Sequence, residues 1–268
     1  MDASCRQATL DLAKQAALEA GALLRENFRT DFRISKKGPI DFVTEIDLKS
    51  EQLILERIRS AYPGHRILAE EAGANSKESP FNWLIDPLDG TTNYAHGFPA
   101  FCVSIALEFG GRLETGVIYD PTADELFWAS RGCGAFLNDR PIRVSDEGAL
   151  GESLLGTGFS YDPGGMRINL GLFHEFMTRA AGVRRVGSAA RDLAYVACGR
   201  FDGVWEFQLH PWDVAAGMLL VEEAGGRVTN FEGGHSTPRD QRILLTNGQI
   251  HSAMLEVLKE HAPAIQQL

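Results

Sequence analysis

Long apolar runs are missing from this chain of 268 residues. Its longest, such as Phe101 to Leu107, fall far short of the roughly 20 residues needed to cross a bilayer, so no membrane partner is expected. Cysteine is scarce too. Cys5, Cys102, Cys133 and Cys198 form no Cys-x-x-Cys pair, which argues against a zinc site or a disulfide framework and for free thiols. Basic residues are outnumbered, 26 against 36 acidic, giving a net charge of −10. That balance does not suit a direct nucleic-acid or anionic-membrane binder. The N-terminal Met-Asp-Ala-Ser-Cys-Arg-Gln has neither the basic nor the apolar region of a signal peptide, so a cytoplasmic location is expected. A dinucleotide fingerprint is missing as well. Gly132-Cys133-Gly134 has no third glycine at position 137 and leads into a strand-like stretch. No repeat, low-complexity tract or long linker interrupts the sequence.

What is present is an ordinary globular pattern. Leu10, Ala13, Ala16, Ala17, Ala20, Leu23 and Leu24 recur at helical spacing and predict a helix from about Arg6 to Phe28. A basic connector with Arg33, Lys36, Lys37 and Gly38-Pro39 follows. Asp47 is expected as the N-cap or first turn of a second helix, which Tyr62-Pro63-Gly64 ends. Strands are predicted at 65–69 and 82–85, with a loop at 73–80 between them, then at 103–109, 113–119, 125–129 and 135–137, as an antiparallel series of hairpins. Near residue 150 the pattern becomes strand-helix alternation. It gives strands at 153–157, 183–186 and 204–207, helices at 168–181, 189–198 and 212–224, and a last helix over 249–261. The organisation expected is therefore an N-terminal α+β lobe, residues 1–150, and a C-terminal α/β lobe, residues 151–268, forming one continuous unit.

The most informative stretch is Asp86-Pro87-Leu88-Asp89-Gly90-Thr91-Thr92-Asn93, which follows the apolar strand Trp83-Leu84-Ile85. An Asp-Gly pair alone would be an ordinary turn. Two carboxylates at a strand end, followed by a Gly-Thr-Thr turn, carry more chemistry. The acids offer oxygen ligands, and the turn offers N–H groups and hydroxyls. Carboxylates repel phosphate unless a cation lies between them, so the pattern reads as metal plus phosphate. A phosphatase that uses an aspartyl nucleophile would need Asp-x-Asp. Here two residues separate Asp86 from Asp89.

Four further segments accompany it: Asp41-x-x-Thr44-x-x-Asp47, Glu70-Glu71, Gly187-Ser188-Ala189-Ala190, and Pro211-Trp212-Asp213 leading to Gly217. Singly, each has a plain explanation as a helix cap, a first-turn acid or a solvated pair. As an ordered set over nearly the whole chain they resemble the inositol monophosphatase family of lithium-sensitive, magnesium-dependent phosphatases. Asp86 to Thr91 matches the family's Asp-Pro-hydrophobic-Asp-Gly-Thr signature, and Trp212 to Gly217 matches its Trp-Asp signature.

That resemblance implies a layered α-β-α-β-α sandwich of the sugar-phosphatase type, usually a homodimer, with two or three Mg2+ per site. It implies metal ligation by Glu70, Asp86, Asp89, Asp213 and the Leu88 carbonyl. Oxygen-only ligation suits magnesium over zinc. Thr91 and Glu70 would orient the attacking water, supported by Thr44, Asp47 and Asp41. Lys36 would lie on a mobile loop over the site. Gly90 and Thr91 would bind the phosphate; Ala189, Glu206, Asp89 and Asp213 would contact the substrate. The activity implied is hydrolysis of a small sugar or polyol phosphate, inositol 1-phosphate first. Fructose 1,6-bisphosphate, histidinol phosphate and NADP are the other substrates handled on this scaffold. A transcription- or RNA-processing-associated role, known for bacterial extragenic-suppressor relatives, is the alternative from another class. Arg191 departs from the hydrophobic residue expected in many relatives. It is expected either to bind a second anionic group or to pair at the surface with Asp192 or a dimer neighbour.

Overall fold

The computed structural model describes residues 1–36, 42–159 and 162–261. Helix α1 (Ala3–Asn27) starts at Asp2, whose carboxylate accepts from the Cys5 N–H. Its alanines 13, 16, 17 and 20 are fully buried, which lets the helix lie close on a sheet. A small ribbon, β1 (Ile34–Lys36) with β2 (Phe42–Thr44), leads into α2 (Glu45–Ala61). An eight-stranded sheet follows: β3 (Arg66–Ala69), β4 (Gly73–Ala74), β5 (Phe81–Asp89), β6 (Cys102–Phe109), β7 (Arg112–Asp120), β8 (Glu125–Ser130), β9 (Gly134–Leu137) and β10 (Arg140–Ile142). A short helix, α3 (Thr91–Ala95), lies between β5 and β6. The order is β10-β9-β8-β7-β6-β5-β3-β4. The hairpin series is antiparallel as expected, but β3 runs parallel to β5.

The second half supplies β11 (Leu154–Thr157), α4 (Pro163–Arg179), β12 (Gly182–Arg184), α5 (Ala189–Ala197), β13 (Gly203–Phe207), α6 (Pro211–Glu223), β14 (Arg227–Asn230), β15 (Arg242–Thr246) and α7 (His251–Glu260). Its sheet has the order β12-β11-β13-β15-β14, parallel among the first three strands and antiparallel after them.

Strand alternation distributes these residues into three cores. Trp83, Ile85, Val103, Ile105 and Val117 face α1 and α2. Leu84, Ala106 and Ile118, on the opposite face, meet α5 and α6, and so do Val204, Ile243 and Leu245 of the second sheet. Trp205 and Leu244 point the other way, onto α4 and α7. The layers are thus α-β-α-β-α, as the resemblance implies. The middle layer is dry on both sides. Val214 to Val221 of α6 are all buried, which fits a helix that is apolar all round.

Two boundaries differ from the sequence reading. Strand β5 does not stop at Ile85 but continues through Asp86-Pro87-Leu88-Asp89, with a register irregularity between Asp86 and Asp89 that accommodates the proline. Helix α4 begins at Pro163 rather than Ile168. Asp162 caps it through the Gly165 N–H at 2.8 Å, and proline is well placed in a first turn, so Pro163-Gly164-Gly165 is helical rather than a loop. At α2 the expectation holds in its second form: Asp47 lies in the first turn and completes a capping box with Thr44, which is the cap.

Candidate active site

The carboxyl end of β5, the start of α3, and the N-termini of α5 and α6 converge on one cavity of about 210 Å3. Glu70, Asp86, Leu88, Asp89, Gly90, Thr91, Ala189, Glu206 and Asp213 all line it. Two helix N-termini aim their partial positive charge at this cluster of acids.

Each acid of β5 and α6 is held by a protein donor. Asp86 Oδ1 accepts from the Leu88 N–H at 3.0 Å. Asp89 Oδ2 accepts from the Ser188 hydroxyl at 2.7 Å and the Ala190 N–H at 2.8 Å. Ser188 therefore spends its hydroxyl on Asp89 instead of capping α5. Asp213 Oδ2 accepts from the His210 N–H at 2.7 Å. The Ser104 hydroxyl donates to the Trp212 carbonyl at 3.1 Å, tying the start of α6 to β6.

Gly90 has φ +98°, and a Cβ there would lie 2.8 Å from the Ala100 carbonyl oxygen, so only glycine fits this turn. The Asn93 carboxamide fixes the turn from below, donating to Ala100 O at 2.7 Å and Val186 O at 2.9 Å.

Asp47 does not line the cavity; it stands behind Thr91. The Thr91 hydroxyl is 2.9 Å from Asp47 Oδ1 and 3.1 Å from the Leu88 carbonyl. Asp47 Oδ2 accepts from the Thr44 N–H at 2.9 Å and from its hydroxyl at 2.5 Å. Burial outweighs these bonds and raises the Asp47 carboxyl to about 6.

Burial first, and then mutual repulsion, also pushes Asp86 and Asp213 well above the ordinary carboxylate range. Burial raises Asp89 against its hydrogen bonds to Ser188 and α5. Glu70 and Asp89 add their repulsion to burial at both Asp86 and Asp213, so the cluster carries more negative charge than the protein itself offsets. Among the described residues, no three His, Cys, Asp or Glu side chains stand as a ready-made ligand group for a metal ion. The donor chemistry nonetheless fits a hard divalent cation. All the donors are oxygens, and the mutual repulsion of these buried acids is what a cation would neutralise.

Among the polar lining residues, Arg185, Asp192 and Gln208 were not picked out as site residues by sequence, and the role of Ser188 as an Asp89 donor was not foreseen. Asp192 is buried, and burial and Asp89 push its carboxyl up. Glu206 is raised in the same way by burial and Asp192. Only the Gly-Ser-Ala-Ala segment carried a signal, by placing a helix start at the site; Arg185 and Gln208 had none.

Arg191 is not among the lining residues. Its Nε is 2.9 Å from Asp120 Oδ2, an ion-pair contact without hydrogen-bond alignment, and its guanidinium donates to the Tyr195 hydroxyl at 2.7 Å. Asp120, not the expected Asp192, is its partner, because the first turn of α5 points that side chain at the end of β7. Asp41 and the Lys36 side chain lie outside the described residues, as does the connector at 37–39. No helix among the described residues is long and apolar enough to cross a membrane.

Comparison with known proteins gives a consistent answer. The family model described as the inositol monophosphatase family matches residues 6–265. A Nus factor SuhB from Pseudomonas aeruginosa is 44% identical over 265 residues, covering 96% of this chain and 98% of the relative. An inositol-1-monophosphatase from Mesorhizobium japonicum is 44% identical over 259 residues, covering 95% and 97%. The crystal structure of the extragenic suppressor protein suhB from Bartonella henselae superposes with a TM-score of 0.91 at 43% identity, covering 94% of this chain and 99% of that one. Members of this family are generally metal-dependent and take small phosphorylated substrates. With its signatures gathered at one cavity and its sandwich shared with these relatives, the chain belongs to the inositol monophosphatase family.

Proposed function

We propose that this chain is a magnesium-dependent phosphoric monoester hydrolase whose substrate is inositol 1-phosphate or a close polyol relative. The observation that carries the reading is the convergence of Glu70, Asp86, Asp89 and Asp213 with the Thr91–Asp47 pair on one cavity. Glu70, Asp86, Asp89, Asp213 and the Leu88 carbonyl would hold the metal ions. Bound divalent cations make hydroxide available near neutral pH and neutralise charge on the phosphoryl group.

The rest of the chemistry falls to side chains and backbone. The Thr91 hydroxyl has one proton and two acceptors within reach. If the Leu88 carbonyl held a cation, the Thr91 hydroxyl would donate to Asp47. The Thr91 oxygen would then be an acceptor facing the cavity, able to orient the attacking water. Asp47, whose carboxyl burial raises to about 6, would take up that proton through Thr91 as the base behind it. The N–H groups of Gly90 and Thr91 would hold phosphate oxygens. Glu206 and Ala189 would seat the alcohol. A homodimer in the cytoplasm is the expected form.

Phosphate release from inositol 1-phosphate, with magnesium and with excess chelator, tests this. Turnover that chelation abolishes is expected, as is inhibition by lithium, a small ion that can replace magnesium but stabilises developing charge less. Turnover indifferent to chelator would overturn the reading. The Pseudomonas relative's name, Nus factor, supports a second reading: association with the transcription machinery. Its test is recovery of polymerase-associated factors by tagged wild type and by Asp89→Asn alike.

A further inference from the structure

The part of the cavity lining that comes from α5 and the end of β13 carries acceptors that find no donor among the described residues. Asp192 Oδ1, Glu206 Oε1 and Gln208 Oε1 are each buried and without a hydrogen-bond partner. All three residues line the cavity, and Asp192 and Glu206 are only 1% and 2% exposed. Native proteins leave few buried acceptors unpaired, because each has given up its hydration without return. Three on one wall point to a ligand that supplies the donors. Arg185, which also lines the cavity, attracts both carboxylates and offsets part of their charge. It leaves these three oxygens unbonded.

Gln208 is the residue that stands out. It has φ +60°, the left-handed region that favours glycine. Its N–H donates to the Gln241 carbonyl at 2.7 Å, which anchors this backbone just past the end of β13. Its carboxamide makes no hydrogen bond among the described residues. A strained backbone that presents an unpaired side chain to a cavity is a position held for that side chain.

We propose that Gln208 is a specificity-determining residue, forming with Asp192 and Glu206 an acceptor wall for a leaving group rich in hydroxyl donors. The inference rests on the phosphatase reading and adds Gln208, with Asp192, to the Glu206 that reading already gives to the alcohol. Phosphate esters of polyols with several free neighbouring hydroxyls fill the wall. Aryl esters leave its acceptors buried and unpaired, which is how such a site rejects an analogue.

The test measures kcat and KM with magnesium for wild type, Gln208→Gly and Gln208→Asn, on inositol 1-phosphate and on 4-nitrophenyl phosphate. In Gln208→Gly the ratio of kcat/KM, polyol over aryl ester, is expected to fall about three- to tenfold, mostly through KM. Tm should hold or rise, since glycine relieves the backbone. Gln208→Asn tolerates the same backbone and carries a shorter carboxamide, so it should fall between the two. An unchanged ratio in an active wild type and Gln208→Gly, or equal losses on both esters, overturns the inference alone. A wild type inert on both esters overturns the phosphatase reading and this inference with it.

Discussion

At the β5 end of the cavity Asp86, Asp89 and Asp213 each accept a hydrogen bond from the protein, whereas along α5 and the end of β13 Asp192, Glu206 and Gln208 each keep an acceptor with none. The two ends solve different problems with similar atoms. Fixed donors hold the first set in place, so its remaining oxygens are pre-set for a charge that must not wander. The second set is left open, so its geometry is completed by whatever brings donors. On the reading proposed above, one end would handle charge and the other would recognise hydroxyls. The largest effects on turnover should therefore come from the first end, and effects on substrate choice from the second.

Asp89→Asn is the strongest test of that division. The change is nearly isosteric, and the Asn oxygen can still accept from Ser188 and Ala190, so the thermal melt should stay close to wild type. The kcat should fall by at least about a hundredfold at saturating magnesium. A variant that only raised KM would break the comparison, because Asp89 would then belong with the recognising wall.

Asp47 sharpens it, because it stands behind the charged end without lining it. A buried carboxyl raised from 3.8 to about 6 favours the protonated folded state. Its stabilising effect is therefore complete below about pH 4 and is lost as pH rises through 6. The size of that loss is about 3 kcal/mol. His251, lowered to about 4 by burial, works in the opposite direction, losing stability as pH falls from 6.5. The two are separated by comparing wild type with Asp47→Asn under chelation. The stability difference, variant minus wild type, should grow between pH 4 and pH 7 and then level off. A flat difference in chemical denaturation would show that Asp47 does not carry the raised carboxyl.

Arg191 belongs to neither end, and its effect should be the smallest on chemistry. Arg191→Ala removes the counter-charge of Asp120, a fully buried acid. A stability loss of about 2 kcal/mol is expected in urea denaturation. The loss in kcat/KM should be small and equal on mono- and bisphosphate esters. Selective loss on a bisphosphate would show that the side chain leaves Asp120 to reach the substrate.

The sequence made most of this legible where local rules decide. Helix α1 and the hairpin strands follow from periodicity, and the charged end follows from contiguous motifs. What was hidden depends on chain segments distant in sequence. The parallel pairing of β3 with β5 and the insertion of β15 between β13 and β14 leave no local mark. Pro163-Gly164-Gly165 reads as a loop until Asp162 is seen to cap it. Arg185 and Gln208 are single residues without a motif, and their importance arises only when β13, α5 and α6 meet. Asp120 as the partner of Arg191 was not legible, because a helix start near the site does not say which way its first turn points.

The seam between α5 and α6 sets the tolerance of the whole arrangement. A Cβ at Gly217 would lie 2.4 Å from the Leu193 Cβ, so the helices touch where a single hydrogen atom now fits. Gly217 is one turn beyond Asp213 on the same face of α6, while α5 carries the donors that hold Asp89. One methyl group there would wedge the two helix starts apart and carry Asp213 away from Asp89. The alignment of the reacting centre is thus kept by a bearing one turn behind it. A lesion in that bearing would read as a kinetic defect in a protein whose cavity residues are all intact.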